Sequence, residues 1–227
     1  KINFTQIDLK KLKMTIRINI GCGRTPIDGW INFDNSLAIK LANSPLLYLL
    51  AKFLRLLNKQ QIENIEWNKK HKINFADATK KIPLEVNSVE CIYTSHMLEH
   101  LSRDGASAFL NEALRILKKS GVLRIAVPDL RIVINNYSTV GDANKFMEQM
   151  FVQAPPISNL KEKLKLIISG YRHHQWMYDG KSLSLLMEES GFRDVRVYSK
   201  GETSIKNPNG LNLHERSEES VYVEGIK

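Results

Sequence analysis

The feature that most narrows what this chain can fold into is an order of segments. A glycine pair follows an apolar stretch in INIGCG, Ile18 to Gly23. An aspartate closes INFD at Asp34, and a second sits in DAT at Asp77. Another apolar run leads into SHMLEHL, Ser95 to Leu101, and a helical pattern leads into GVLRIAVPD, Gly121 to Asp129. Each reads as a strand whose C-terminal end carries small or polar residues. In an open parallel sheet such ends line one crevice, where ligands bind. Several of them in one chain predict a site for a nucleotide-like cofactor.

A chain of 227 residues can bury a substantial core in one domain, and 43% hydrophobic residues is ordinary for a globular protein. Cys22 and Cys91 make no disulfide framework, which points to a reducing, cytoplasmic compartment. No run of about 18 apolar residues is present to span a bilayer, and no signal-peptide pattern is visible. The formal charge of +9 invites a nucleic-acid reading. Against it, lysines come as scattered pairs (Lys69-Lys70, Lys80-Lys81, Lys118-Lys119) with no aromatic interleaving.

Residues 1–13 are polar and basic without a clear period and read as an N-terminal arm ahead of one domain over 14–227. Apolar runs and alternation predict strands at Ile16–Ile20, Ile31–Asp34, Ile73–Ala76, Val89–Thr94, Val122–Val127, Val195–Tyr198 and Val221–Glu224. Helices are predicted over Asp104–Lys118, Phe146–Phe151, Leu160–Ile168 and Leu183–Glu189, with Gly121 stopping the first. This alternation argues for an α/β sheet with helices on both faces.

Residues 37–72 form a helical insert. Ser44-Pro45 reads as the N-cap and first residue of a helix running to about Lys59. Leu46, Leu49, Leu50, Phe53 and Leu57 fall on one stripe, with Lys52, Arg55 and Lys59 beside it. The first reading is that the stripe packs on the sheet or closes the site as a lid. The second is that 45–59 touches a membrane surface weakly as a basic amphipathic helix.

Gly21 and Gly23 let backbone approach a ligand where a Cβ would collide. The stretch fails as a dinucleotide fingerprint, because Pro26 stands where the third glycine belongs, and no Walker loop follows. Asp34 directly follows a strand, where a carboxylate can accept both hydroxyls of a ribose; the plainer reading is a turn cap. Asp77, between Ala76 and Ala78, can accept from an exocyclic amine beside a slot for a flat ring; the plainer reading is a surface turn.

These segments, in this order, resemble class I S-adenosylmethionine-dependent methyltransferases of the type 11 group, over about residues 16–227. GCG at 21–23 is similar to that family's first motif, Asp34 to its second, and Asp77-Ala78 to its third. IPLEVNSVECIYTSHMLEHL, Ile82 to Leu101, resembles the strand-four signature, and EALRILKKSGVLRIAVPDL, Glu112 to Leu130, the helix and strand that follow. HQWMYDGKSLSLLMEESGF, His174 to Phe192, resembles the late segment of bacterial members associated with surface polysaccharide synthesis. The resemblance implies a Rossmann-like three-layer sandwich, its seven-stranded sheet mostly parallel with one antiparallel strand near the C-terminus. It implies S-adenosyl-L-methionine as cofactor. Asn19, Gly21, Cys22 and Gly23 would cradle its methionine part, Asp34 and Asn35 its ribose, and Asp77 and Ala78 its adenine, with Ser95 and His96 at the edge. Two departures stand out. Asn19 occupies a position where many members carry an acid, and only the ten residues Gly21 to Trp30 separate the first two strands. That is too short for a crossover helix.

Methyl transfer to a hydroxyl needs the acceptor aligned and its proton removed, and histidine suits the second task. His96, just beyond the fourth strand, and His174, from the late segment, are the candidate catalytic bases. His100 reads as a packing residue, and Trp176 and Tyr178 as core or as a platform for a sugar ring. HMLEH, His96 to His100, also matches the zinc pattern H-x-x-E-H. That pattern belongs inside a long helix, whereas here it starts at a strand end. Some metal-assisted O-methyltransferases carry E-x-x-E-H at this place, so His96, Glu99 and His100 would share one helical face, but the first glutamate is missing. No metal is expected.

The reading is therefore a methyltransferase acting on a small acceptor, such as a hydroxyl of a sugar or glycan precursor. An RNA or protein methyltransferase, a cofactor-binding module without catalysis, and a nicotinamide-dependent dehydrogenase are the rivals.

Overall fold

The computed structural model describes residues 15–153 and 173–227. Its sheet has seven strands: β1 (Ile16–Ile20), β2 (Ile31–Asp34), β3 (Asn74–Phe75), β4 (Val89–Ser95), β5 (Leu117–Pro128), β6 (Arg193–Tyr198) and β7 (Ser220–Ile226). Their order is β3-β2-β1-β4-β5-β7-β6. Ile18, Ile20, Ile92, Ile125 and Val223 are buried, as near-continuous apolar strands are when both faces of a sheet are covered. β7 runs antiparallel to its two neighbours, while the other pairs are parallel. This is the α/β sheet that the alternation of patterns predicts, in the Rossmann-like arrangement that the family resemblance implies.

Register carries the strand ends to one edge. Asn19 of β1 pairs with Asn32 of β2 and Tyr93 of β4, Asp34 pairs with Phe75 of β3, and Ser95 pairs with Ala126 of β5. Gly21, Asp34, Asp77 and Ser95 therefore lie within two residues of the ends of adjacent strands.

Three helices fill the insert between β2 and β3: α1 (Leu37–Ala42), α2 (Pro45–Phe53) and α3 (Lys59–Lys70). The single helix expected from Pro45 to Lys59 is broken. Arg55 adopts a positive φ of 53°, and Asn58 with Gln61 forms a capping box that starts α3 afresh. Pro45 is at the start of α2 as expected, although the Ser44 side chain makes no capping bond. The leucine stripe does not pack on the sheet. Leu46, Leu49, Leu50 and Phe53 are 79%, 61%, 51% and 83% exposed. Tyr48, on the opposite side of the helix, turns inward instead, clustering with Ala42 and Ile65 beneath the Lys69 ammonium, 3.7 Å from its ring. Among the described residues no helix is long and apolar enough to cross a membrane.

The helix after β4, α4 (Arg103–Ile116), begins where the Ser102 hydroxyl accepts from Gly105 N at 3.1 Å. Ala106, Phe109, Leu110, Ala113 and Ile116 recur at helical spacing and are fully buried. Burying a side chain such as Phe109 or Leu110 contributes about 1.5–3 kcal/mol. The helix stops at Ile116, short of the expected Lys118, because Leu117 already pairs with Val89. Gly121 is not a helix stop but part of β5, where a Cβ would lie 2.9 Å from the Lys118 carbonyl.

After β5 come α5 (Leu130–Val140), α6 (Ala143–Met150) and, before β6, α7 (Gly180–Glu189). The sequence reading has no counterpart for α5, which Asp129 caps by accepting from Arg131 N. Asp142 caps α6, so that helix starts before Phe146. The expected arm at 1–13 and the helix at 160–168 lie outside the described residues.

No helix connects β1 to β2, in keeping with the ten-residue spacing. The C-terminal loop 199–219 covers that face instead: Ile205 and Leu211 pack with Ile27, Trp30, Cys91 and Tyr93. Glu224 of β7 fastens the loop. Its carboxylate accepts from Arg124 Nη1 of β5 at 2.6 Å, from Thr203 Oγ1 at 2.5 Å and from Ser204 N at 2.8 Å, and Arg124 is fully buried. Removing one partner of such a pair leaves a buried charge uncompensated. Glu224→Ala is expected to destabilise the protein by about 3–5 kcal/mol, read as a lowered urea midpoint with the transition still cooperative.

Candidate active site

The loop after β1 is built around two left-handed glycines. Gly21 has φ +71°, and a Cβ there would lie 2.5 Å from Met97 Cγ, so the chain has room only for glycine. Gly23, at φ +49°, opens onto free space with nothing within 4 Å of such a Cβ. Asp34 ties the loop to β2: its Oδ2 accepts from Gly23 N at 3.0 Å and its Oδ1 from Ser36 N at 2.9 Å. Asn35, next to it, is exposed. Cys22 turns away from the loop surface to pack against Ile39 and Ile73. Burial, helped by the nearby Asp34 charge, pushes its thiol pKa up to about 12, so it stays a protonated packing group.

Two asparagines hold the loop from behind. Asn32 Oδ1 accepts from Ile27 N at 2.8 Å, and its amide donates to the Ile27 and Trp30 carbonyls. Asn19 donates to the Thr25 carbonyl at 2.9 Å and to Asn32 Oδ1 at 3.3 Å. The sequence reading passes over Asn32. A buried asparagine in an otherwise apolar strand is the signal that marks it.

Asp77 sits in its own turn. Oδ1 accepts from Thr79 N and Oγ1 at 3.0 and 2.7 Å, and Lys80 Nζ lies 3.4 Å from Oδ2. Burial works to raise its pKa, but these donors outweigh it and hold the carboxyl below its usual value. Ala76 and Ala78 on either side are buried. On β4, the fully buried Thr94 hydroxyl has no hydrogen-bond partner among the described residues, and a Cβ on Gly21 would come within 3.9 Å of it. The β-strand edge thus brings Gly21, Gly23, Asp34, Thr94 and Ser95 together, with Asp77 at the neighbouring turn.

Beyond β4 the chain does not enter the long helix that an H-x-x-E-H zinc motif requires. His96 is left-handed, at φ 50°, and only a short 3-10 turn, Leu98–His100, follows. The His96 ring is enclosed, with Nε2 2.8 Å from Ser220 Oγ and Nδ1 3.3 Å from Glu99 Oε1. Glu99, which the sequence reading weighs only as a metal ligand beside His96 and His100, is the centre of the arrangement. It is fully buried, and neither of its carboxylate oxygens accepts a hydrogen bond among the described residues. His100 Nε2 and His174 Nε2 approach its Oε1 at 3.9 and 4.0 Å.

The late segment reaches this point through backbone. Gln175 N and Trp176 N donate to the Glu99 carbonyl at 2.7 and 3.2 Å, Gln175 Nε2 donates to the His100 carbonyl, and His174 N donates to the Phe151 carbonyl. The His174 ring stands against Phe151 and His100, with Nδ1 2.9 Å from the Met150 carbonyl. Burial lowers the pKa of His174 below its ordinary value, and the Glu99 charge only partly opposes this. Tyr178 is core, while Trp176 is 45% exposed with the Arg103 guanidinium over its ring. A cavity of about 490 Å³ opens here, bordered by Glu99, His100 and His174, by Pro128 at the end of β5, and by residues of α5 and α6. His96 does not border it.

Residues 45–125 match a family model described as a methyltransferase domain. The fold is shared with a SAM-dependent methyltransferase from Thermotoga maritima, 18% identical, with 95% of this chain and 84% of that one covered and a TM-score of 0.50. It is shared as well with a SAM-dependent methyltransferase from Methanosarcina mazei, 15% identical, with 96% and 95% covered and a TM-score of 0.50. No curated protein sequence matches the chain. The matched segment lies within a sheet whose strand order is the Rossmann-like fold shared with these two methyltransferases.

Proposed function

We propose that this protein transfers the methyl group of S-adenosylmethionine to a hydroxyl oxygen of a small polar acceptor, a sugar or glycan precursor. The observation that carries the reading is the cavity of about 490 Å³ beyond β4 and β5, floored by a buried carboxylate and two histidines. A volume of that size suits a small molecule or one terminal sugar better than a polymer, which favours it over an RNA or protein acceptor. The exposed Trp176 face beside the late segment is suited to a sugar ring.

The residues at the strand edge fit the cofactor. The open space over Gly23 and the orphaned Thr94 hydroxyl offer a cradle. An ionised carboxylate has about four lone-pair sites, so Asp34 can hold ribose hydroxyls while keeping its bonds to Gly23 and Ser36. Asp77 and Ala78 would receive the adenine, and Asn19 would act by holding the loop from behind. When bound, the cofactor supplies a methyl group already activated on a positive sulfur. The chain's own task is to hold the acceptor, keep water out and receive a proton. The lone pairs of the Glu99–His100–His174 cluster face the cavity and are placed for that proton. His174 borders the cavity as the candidate base, and His96 orients Glu99 from behind.

Asp34→Ala is expected to weaken S-adenosylmethionine binding by about tenfold or more, the worth of a charge-assisted hydrogen bond, in a calorimetric titration. His174→Gln is expected to keep cofactor binding and lose about 10²–10⁴-fold in kcat on glycan acceptors. Unchanged affinity for Asp34→Ala would remove that residue from the site. Wild-type binding without product from any glycan or nucleic-acid pool would favour a non-catalytic binding module.

The insert supports a second surface. Leu46, Leu49, Leu50 and Phe53 form an exposed apolar face with Lys52, Arg55 and Lys59 exposed nearby. We propose that this face rests on an anionic membrane surface, where leucine and phenylalanine enter the headgroup boundary and the cations meet lipid phosphate. The full chain is expected to co-sediment with phosphatidylglycerol-containing vesicles and not with neutral ones, and Leu49→Ser with Phe53→Ser to abolish this. A wild-type chain that ignores both vesicles, or that hides the face in a dimer by light scattering, would contradict it.

A further inference from the structure

We propose that Glu99, His100 and His174 together hold a divalent transition-metal ion of the zinc class in the floor of the cavity. One ligand atom from each lies within 4.8 Å of the other two. The direction of the lone pairs matters more than this proximity. His100 Nδ1 faces the His173 carbonyl at 3.2 Å, and His174 Nδ1 faces the Met150 carbonyl at 2.9 Å. A carbonyl only accepts, so each neutral ring carries its hydrogen on Nδ1 and presents a bare Nε2. Both Nε2 atoms approach Glu99 Oε1, which accepts no hydrogen bond among the described residues although His96 Nδ1 stands 3.3 Å away. Three electron-pair donors thus stand around one gap, and a single bound metal ion would satisfy all three together.

Burial sharpens the case. An ionised carboxylate removed from water is costly unless it is paired or ligates a metal, and Glu99 is fully buried. Backbone carbonyls on the far nitrogen of metal-binding histidines are the usual means of fixing ring orientation and tautomer. Two histidines and one glutamate form a known three-ligand zinc set that leaves a further position open, and here that position faces the cavity. Zinc bonds of about 2.1 Å place tetrahedral ligands about 3.4 Å apart, so the two rings need to close on Glu99 by about half an ångström. Nitrogen with one carboxylate favours zinc, cobalt or iron over magnesium or calcium. The third ligand comes from the late segment, which is why the contiguous pattern His96-x-x-Glu99-His100 does not describe the site. His96, held by Ser220 at 2.8 Å, is a positioning residue for Glu99.

That the ion meets the acceptor hydroxyl rests on the function proposed above; the binding of the ion does not. An ion held by these three residues would polarise the acceptor hydroxyl and lower its pKa, so that the proton would leave to solvent as the oxygen takes the methyl group, and not to His174. The test uses the full-length protein, stripped with EDTA and titrated with cobalt(II). One equivalent is expected to give visible absorption bands of four- or five-coordinate cobalt, and zinc is expected to displace it. Glu99→Gln and His174→Gln are each expected to weaken cobalt binding at least tenfold while a cooperative thermal unfolding transition shows that they fold. Asp104→Asn, exposed in the first turn of α4, is expected to bind as wild type. A wild-type protein with no band and no stoichiometric zinc, or variants that bind as tightly as wild type, would overturn the site. Cobalt binding without S-adenosylmethionine binding would leave the metal site standing and remove the methyltransferase reading instead.

Discussion

The parallel pairing of β1 with β2 on one side and β4 on the other decides where the glycine loop, Asp34 and Ser95 fall. Asn19 meets Asn32 and Tyr93 across those ladders, so the glycine loop, Asp34 and Ser95 emerge side by side. A slip of one residue would invert each strand's faces and carry its apolar side chains out of the core. With Ile18, Ile20, Phe33 and Ile92 all buried, such a slip is strongly opposed. The same burial that stabilises the fold therefore sets the geometry of the proposed cofactor cradle.

The short β1–β2 link has a consequence on the opposite side of the molecule. Without a crossover helix, the face over Cys91 and Tyr93 is covered by the loop before β7, anchored through the buried Arg124–Glu224 pair. That loop leads directly into Ser220, which holds His96, and His96 stands against Glu99. A structural ion pair and the proposed acceptor site thus share one stretch of backbone. The chain supports the Glu99 cluster from two directions: the C-terminal loop through His96, and the late segment through hydrogen bonds to the Glu99 carbonyl.

Much of this was legible in the sequence because strand ends announce themselves: apolar runs closing in glycine or aspartate fixed the sheet class and the positions of Gly21, Asp34 and Asp77. The absent crossover helix was equally legible from the ten-residue spacing. The insert was not, because a leucine stripe at helical spacing says that a face is apolar but not which way it points. Tyr48, with Lys69 over its ring, won the inward position. The grouping of the late segment with Glu99 was missed for a related reason. Its partner His174 is 75 positions away, and a local motif search looks for neighbours along the chain. Its place in an apolar turn, MLEHL, was the available clue, since a carboxylate there must be exposed or paired.

The central claim is that the ends of adjacent strands together receive the cofactor. The most direct measurement is a crystal structure of the full chain soaked with S-adenosylhomocysteine. Electron density for the ligand over Gly21 to Gly23, with its ribose on the Asp34 carboxylate and its sulfur turned toward the Glu99 cavity, is the predicted result. Ligand bound elsewhere, with that loop and Asp34 untouched, would contradict it.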